Sequence, residues 1–294
     1  MEVKTSAVAL GLFDGVHLGH RAVLDLALAQ EKNGFVPTVF TFMPKTVLRK
    51  ASGYEGYIYN RTEKNYILGE LGFLIENIHS VKFEEICGLT GEEFAENILA
   101  KKLNAEVVCC GNDFRFGQYA SCGIEDLRKF GEKYGFEVQT ADDMKIDDIT
   151  VSSGEIRRLL LDGETEKANI LLGSPYMIHA VVGFGNRIGR TIDFPTINQN
   201  YSDGQLVLKY GVYKTVTYID GVKYKSVTNI GVKPTIAGKR LPLAETHILD
   251  FSGDLYNRHI KVEFYKFIRP EMKFSSVDEL REQIRKDTAK VREI

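Results

Sequence analysis

The sequence is poor in the patterns that mark secreted, membrane and nucleic-acid-binding proteins. Only four cysteines occur in 294 residues, Cys87, Cys109, Cys110 and Cys122. None stands in C-x-x-C spacing, which argues against a disulfide framework or a zinc ribbon. Adjacent Cys109 and Cys110 in EVVCCGNDF read as small apolar residues of a buried strand. No apolar run is long enough to cross a bilayer. The opening MEVKTSAVALGLFDG is too short and too broken in its apolar part for a signal peptide. A formal net charge of -2 gives no electrostatic case for a nucleic acid or a membrane surface as partner. Neither G-x-G-x-x-G nor G-x-x-x-x-G-K-[ST] is present, so the dinucleotide fingerprint and the P-loop are both missing. No internal repeat or low-complexity tract stands out. With 44% hydrophobic and 27% charged residues, the chain is expected to be a reduced, cytoplasmic, globular protein. Its length suggests about two domains.

The first half alternates strand and helix patterns. SAVALGLF and PTVFTF are β-rich apolar runs, and LGHRAVLDLALAQEKNGF between them has helical spacing that stops at Asn33-Gly34. TEKNYILGELGF and TGEEFAENILAKKL read as amphipathic helices, each opening at a Thr with a Glu close behind. AEVVCCG is a continuous apolar run, the mark of a central parallel strand. GIEDLRKFGEKYGF follows as a helix and EVQTADD as a strand. Repeated β-α-β units with buried strands predict a doubly wound α/β domain, with ligands at the carboxyl ends of the strands. Past Gly173-Ser174-Pro175 the segments become alternating, aromatic and β-branched, with turns such as Asp220-Gly221. They predict an all-β barrel closed by one helix, SVDELREQIRKDTAKVREI. The expected domains are 1–175 and 176–294.

GLFDGVHLGH, residues 11–20, sits where a strand runs into a helix, a place where backbone N–H groups and the helix dipole favour phosphate. His17 and His20 would stand at the helix start, one turn apart. Two surface imidazoles or half of a metal site are the other readings. The remaining histidines, His79, His179, His247 and His259, fall in unrelated elements. VSSGEIR offers Ser152 and Ser153 as helix caps, with Arg157 one turn inside. An ordinary N-cap accounts for the serines equally well. In NDFRFG, Phe114 and Phe116 read either as site residues or as core plugs.

These segments resemble the nucleotidyltransferase superfamily with its H-x-G-H signature, and GLFDGVHLGHR is similar to its FAD synthetase branch. CGNDFRFG resembles that branch's G-x-D-F-x-F-G loop, and VSSGEIRRLL its S-S-x-x-I-R helix. The resemblance implies a Rossmann-like N-terminal domain that adenylylates FMN. It implies His17, His20 and Arg157 as catalytic groups on the ATP phosphates. It further implies Gly11, Phe13, Asp14, Gly15, Gly19, Asn112, Asp113, Phe114, Phe116, Ser152 and Ser153 as binding residues.

In the β half, GNRIGRTIDFPTINQN places Thr196 and Asn198 on one face of an extended stretch, and ETHILDF does the same for Glu245 and His247. An edge strand marked by proline, or a solvated strand carboxylate, would also explain them. Together with VTNIGVKPTI they resemble the riboflavin kinase domain, so the likeness spans nearly the whole chain in the order of the bifunctional riboflavin kinase/FAD synthetase family. The resemblance implies Glu245 as base for the ribityl hydroxyl and Thr196 and Asn198 as ligands of Mg²⁺–ATP. It adds Gly189, Arg190, Pro195 and Asn229 as binding residues. ATP, riboflavin, FMN and FAD are then the partners, with no role for nucleic acid or membrane. Asp193 stands where the family has glycine, PKTVLRK replaces a P-H-P segment, and Gly154-Glu155 replaces a hydroxyl residue and Arg. Two other readings are a different H-x-G-H nucleotidyltransferase with a β appendage, and an FAD synthetase whose flavin-binding β module has weak or lost kinase activity.

Overall fold

The computed structural model describes residues 5–43, 55–184, 194–234 and 240–293. It forms two compact units, Met1–Ser153 and Gly154–Ile294.

The first unit is a five-stranded parallel sheet. Its strands are β1 (Ser6–Leu10), β2 (Val36–Phe42), β3 (Ile78–Val81), β4 (Ala105–Gly111) and β5 (Glu137–Ala141), in spatial order β3-β2-β1-β4-β5. Every residue of β1 is buried, because helices cover both faces of the sheet. Ala7 and Ala9 pack on one side with Val23, Leu24 and Ala27 of α1 (Leu18–Leu28). Val8 and Leu10 pack on the other with Phe94, Leu99 and Leu127. Cys109 and Cys110 divide between the same two cores, and burial pushes both thiols up to about 12, so they behave as small apolar side chains. The helix that begins at Leu18 gives way to a tighter turn over Ala29–Asn33 and stops at Gly34, whose φ of 86° suits a residue without Cβ. The next helix, α2 (Arg61–Glu70), starts one step earlier than its Thr62 suggests. Asn60 caps it in a reciprocal box with Glu63, which satisfies two amide donors at once. A helical segment α3 follows, α-helical over Gly91–Glu93 and π-helical over Phe94–Lys102, and then α4 (Ile124–Tyr134).

The order β3-β2-β1-β4-β5 has its reversal between β1 and β4. Chain connections leave that pair in opposite directions, which opens a crevice at their carboxyl ends. Both N-terminal signature loops emerge there, one from each strand.

The second unit opens with α5 (Ser153–Asp162), all but its first residue, and α6 (Thr165–Leu172). Its antiparallel sheet contains β8 (Tyr176–Val181), β9 (Thr196–Asn200), β10 (Gly211–Ile219), β11 (Val222–Pro234), β12 (Arg240–Ile248) and β13 (His259–Pro270), in the order β8-β13-β10-β11-β12-β9. (β6, Lys145–Ile146, and β7, Ile149–Thr150, form a small hairpin in the first unit.) The sheet curls until its two edges meet, where Gly183 N–H donates to Asn198 O at 2.8 Å. Asp220-Gly221 turns β10 into β11 with both φ angles positive, as a tight hairpin requires. The C-terminal helix α7 (Val277–Glu293) packs on β11, with Val291 buried among Val212, Val227 and Leu249.

The compact units part at Ser153/Gly154, upstream of the expected limit at 175. The cause is packing: α6 lies on β13 and β8, Asn169 bonds both Phe264 O and Tyr176 N, and Lys209 Nζ donates to Asp162 O.

Candidate active sites

The first site is built by an awkward piece of backbone. Between β1 and α1, Phe13 (φ 49°), Gly15 (φ 90°) and Val16 (φ 43°) are all left-handed. Glycine adopts this freely, but an L side chain there costs about 1–2 kcal/mol, and a β-branched valine is a true outlier. The turn is held from several directions. Thr41 Oγ1 donates to Leu12 O at 2.9 Å, Asp14 Oδ1 accepts Ile58 N–H at 2.9 Å, and Ser153 Oγ donates to Asp14 O at 2.7 Å. Arg21 Nε reaches Val16 O at 3.2 Å. At Gly11 a Cβ would lie 2.8 Å from the Phe13 ring, so glycine is needed for that ring to fold back. Gly19 meets no such obstacle: a Cβ there would make only van der Waals contact, at 3.4 Å from His17.

The turn delivers His17 to the N-cap of α1, where its Nδ1 accepts the His20 backbone N–H at 3.2 Å. An accepting Nδ1 carries no proton, so in the neutral ring the hydrogen is on Nε2. The His20 ring stacks on it, centroids 3.6 Å apart and planes 15° apart, with the Phe13 ring edge-on at 5.5 Å. Burial, then the neighbouring His17 and Lys64, hold the His20 imidazole well below its ordinary pKa, so it is neutral at pH 7. Its Nδ1 is enclosed without a hydrogen-bond partner among the described residues.

The companion loop leaves β4. Asn112 and Asp113 are exposed, and Asn112 Nδ2 bonds Asp142 Oδ1 at 2.5 Å. Phe114 is half-buried, while Phe116 is buried against Phe94 and Phe130 and so acts as a core plug as well. Both phenyl rings line an apolar cleft of about 700 Å³ with Gly11, Phe42, Phe83 and Tyr119. Ser153 is thus tied to the Asp14 carbonyl. Ser152 precedes α5, and Arg157 lies one turn inside that helix, half-buried and in the second compact unit.

The second site depends on strand register. Antiparallel pairing sets Asn229 of β11 opposite Glu245 of β12, and Glu245 opposite Asn198 of β9. Residues directly opposite share a sheet face, so the three form a row across three strands. His247 and Thr196 are the next opposed pair. His247 Nδ1–H donates to Pro195 O at 2.9 Å, which fixes its tautomer, and burial keeps the ring below its ordinary pKa. Asn198 is 7% exposed, and its Oδ1 has no hydrogen-bond partner among the described residues. Thr196, Asn229, Glu245 and His247 line a cleft of about 320 Å³ roofed by Leu280, Ile284 and Asp287 of α7. A second cleft of about 500 Å³ involves Pro195, Thr246, Ile248 and the loop 251–256. Thr196 lines both, so the two clefts meet at its side of β9. Arg269 and Asp287, which both line the smaller one, form a bidentate pair, with Nη2 2.7 Å from Oδ2. Gly189, Arg190 and Asp193, like PKTVLRK at 44–50, lie outside the described residues.

Lysine 64 escaped the sequence reading. It is 2% exposed and sits beneath the first site. The available signal was its spacing, three and four residues before Ile67 and Leu68, on the apolar face of α2.

Family models match in the same order as the sites. The FAD synthetase model covers residues 1–155, and the riboflavin kinase model covers residues 172–294. A bifunctional riboflavin kinase/FMN adenylyltransferase of Bacillus subtilis (strain 168) is 38% identical over 297 residues, spanning 97% of this chain and 91% of that protein. One of Escherichia coli (strain K12) is 36% identical over 290 residues, spanning 97% and 91%. A crystal structure described as a macrolide-efflux protein from Streptococcus pneumoniae superposes with a TM-score of 0.83 at 30% identity, over 98% of this chain and 94% of that one. No helix among the described residues is long and apolar enough to cross a membrane.

The fold and the two matched domains are thus those of a two-domain transferase, nucleotidyl transfer in the first half and phosphoryl transfer in the second. The chain belongs to the bifunctional riboflavin kinase/FMN adenylyltransferase family.

Proposed function

We propose that the second unit phosphorylates riboflavin to FMN with Mg²⁺–ATP, and that the first site adenylylates FMN to FAD with release of pyrophosphate. One observation carries the reading most directly. The Asn229–Glu245–Asn198 row stands beside Thr196, where two clefts join, as a phosphoryl donor and its acceptor require. Glu245 takes the proton of the ribityl 5′-hydroxyl as that oxygen attacks the γ-phosphorus and the bond to the β-phosphate oxygen breaks. Asn229 and Asn198 flank the carboxylate and orient it. Asn198 Oδ1, buried and without a partner among the described residues, and the Thr196 hydroxyl are hard oxygen donors of the kind Mg²⁺ takes. The ion, when bound, neutralises charge on the transferred phosphate. Gly189, Arg190 and Pro195 join this site on the strength of the sequence signature.

In the first unit the α1 N-terminus, the His17 Nε2–H and the neutral His20 ring face the anionic triphosphate. They stabilise charge on the α-phosphate as an FMN phosphate oxygen attacks it and pyrophosphate departs. Gly19 is assigned to the phosphates by its sequence signature. The aromatic cleft lined by Phe114 and Phe116 suits the flat isoalloxazine ring. Arg157 with Ser152, and Asn112 with Asp113, are assigned here by their sequence signatures. We set the limits of the two activities at 1–175 and 176–294, and place the enzyme in the cytoplasm, where ATP serves both steps.

The test is to incubate purified protein with riboflavin, ATP and Mg²⁺ and to separate riboflavin, FMN and FAD by chromatography. Both products are expected. His17→Ala should stop at FMN, and Glu245→Gln should make no FMN yet still convert supplied FMN to FAD. Equal loss of both activities in either variant would refute the two-site reading.

A further inference from the structure

A buried lysine needs partners, and Lys64 has three of an unusual kind. Its Nζ lies 3.2 Å from Leu12 O, 3.0 Å from Thr41 Oγ1 and 3.0 Å from Phe42 O. An ammonium has three protons, so its donor capacity is filled. No carboxylate is among these acceptors. Glu63, its buried neighbour, is engaged in the cap at Asn60. The charge is balanced at longer range by Asp14 and opposed by Arg61.

Two of the three acceptors end β2 and the third is Leu12, the residue just before the left-handed turn. Thr41 Oγ1 donates to that same Leu12 carbonyl. Phe13 and Val16 each hold a left-handed conformation that an unrestrained chain would leave. Something must fix the point from which the turn departs, and Lys64 is the group that grips it.

We propose that Lys64 is a positioning residue of the adenylylation site: its ammonium pins Leu12 to the end of β2, so that the turn presents the α1 N-terminus and the His17–His20 pair in one fixed geometry. The inference rests on reading the first unit as the FMN-adenylylating half. It has an electrostatic corollary. His20 is faced by His17 from the N-cap, by the Phe13 edge and by the charge of Lys64 from α2, and two of these disfavour its protonation. Burial lowers Lys64 itself to about 8, so it is cationic below that pH.

The experiment uses the full chain and compares Lys64→Met, Lys64→Arg and Thr41→Val with the parent. FAD formation from FMN is followed across about pH 5.5–9, and FMN formation from riboflavin in the same samples reports the other site. Lys64→Met should lower kcat for adenylylation by about 10–100-fold, since misplacement on the order of 1 Å has that effect, with KM for FMN within about 2-fold. It should also move the acid limb of the profile to higher pH, because His20 then protonates more readily. Lys64→Arg, which keeps the charge, should restore the acid limb. Thr41→Val, which keeps the charge but removes one acceptor of Lys64 and one bond to Leu12, should lower kcat a few-fold without moving that limb. FMN formation should be unchanged in all three.

A Lys64→Met enzyme with kcat within about 2-fold of the parent, or one that slows with the acid limb unmoved, overturns the proposal. If Lys64→Met fails to fold, an unaltered kcat in Thr41→Val overturns it instead. His17→Ala is run alongside. If it adenylylates normally, the reading of the first unit fails, and the positioning role falls with it. If it is inactive while Lys64→Met is normal, only the positioning role fails.

Discussion

Asp287 is the residue whose removal should be felt most sharply in the second unit. Its carboxylate is 1% exposed and accepts Arg269 Nε at 3.1 and 3.0 Å, Arg269 Nη2 at 2.7 Å and Gln283 Nε2 at 3.0 Å. In Asp287→Ala the Arg269 guanidinium, with a side chain only 14% exposed, keeps one bond among the described residues, to Pro270 O at 3.0 Å. Removing one partner of a buried pair leaves an uncompensated charge, which costs about 3–5 kcal/mol. Against a typical domain stability of about 5–15 kcal/mol, that is a large share. Because α7 roofs the cleft that holds Glu245, loosening it should also strip the kinase of its ceiling. Urea titrations should show the midpoint of the second unit falling, while FMN adenylylation is kept at low urea and FMN formation is not. The double variant Arg269→Met/Asp287→Leu replaces the pair with apolar groups and should recover most of the stability, since a buried ion pair is seldom better than a packed apolar pair. A loss under about 1 kcal/mol in Asp287→Ala, or a double variant as unstable as the single, would refute this reasoning.

Four further outcomes are expected. Asn198→Leu removes a buried oxygen that has no partner among the described residues, so kinase activity and its Mg²⁺ dependence should suffer while stability is unchanged or rises by about 1 kcal/mol, read by calorimetry. Arg157→Lys keeps the charge but not the planar fork, and should raise the apparent KM for ATP in FAD formation alone. His20 is held below its ordinary 6.5, so the unfolded chain binds its proton first; this stabilising contribution is complete above about pH 6.5 and is lost as pH falls below it, and His20→Gln should flatten that part of a stability–pH curve. Thr228→Val should cost about 1–3 kcal/mol by denaturant titration, because Thr228 Oγ1 is 2.8 Å from both Thr215 and Thr246 in the barrel interior.

The sequence made the doubly wound sheet legible because β1 and β4 are buried on both faces, and continuous apolar runs such as AEVVCCG report that directly. The position of His17 and His20 at the mouth of α1 could be read too, since a strand end, glycines and a helical period are all local. The stacking of their rings could not, because it follows from three left-handed residues that no periodicity reveals. In the barrel, Thr196 with Asn198 and Glu245 with His247 were each visible as pairs two apart. That Asn198 faces Glu245 is a matter of register between strands distant in the chain, which is set by long-range pairing. The junction near Ser153 was hidden for a related reason. The apolar faces of α5 and α6 show that they are covered, and not by which sheet. Lys64 was passed over because a lysine in a helical period is ordinarily solvated.

The interior of the barrel carries hydroxyls where a β-barrel usually carries only hydrocarbon. Thr217, Ser226, Thr215, Thr228 and Thr246 are joined in sequence by contacts of 2.8, 2.9, 2.8 and 2.8 Å. Each hydroxyl has a single proton to give, and five hydroxyls make four links, so one proton is always left over. The surplus can lie at any of the five, and when it lies at an end the whole chain points one way. Run toward β12, the surplus proton is at Thr246, which borders the larger cleft as a donor. Run the other way, Thr246 turns lone pairs to the cleft and the surplus lies at Thr217. Rotation of five C–O bonds, with no movement of the backbone, turns one of these end states into the other.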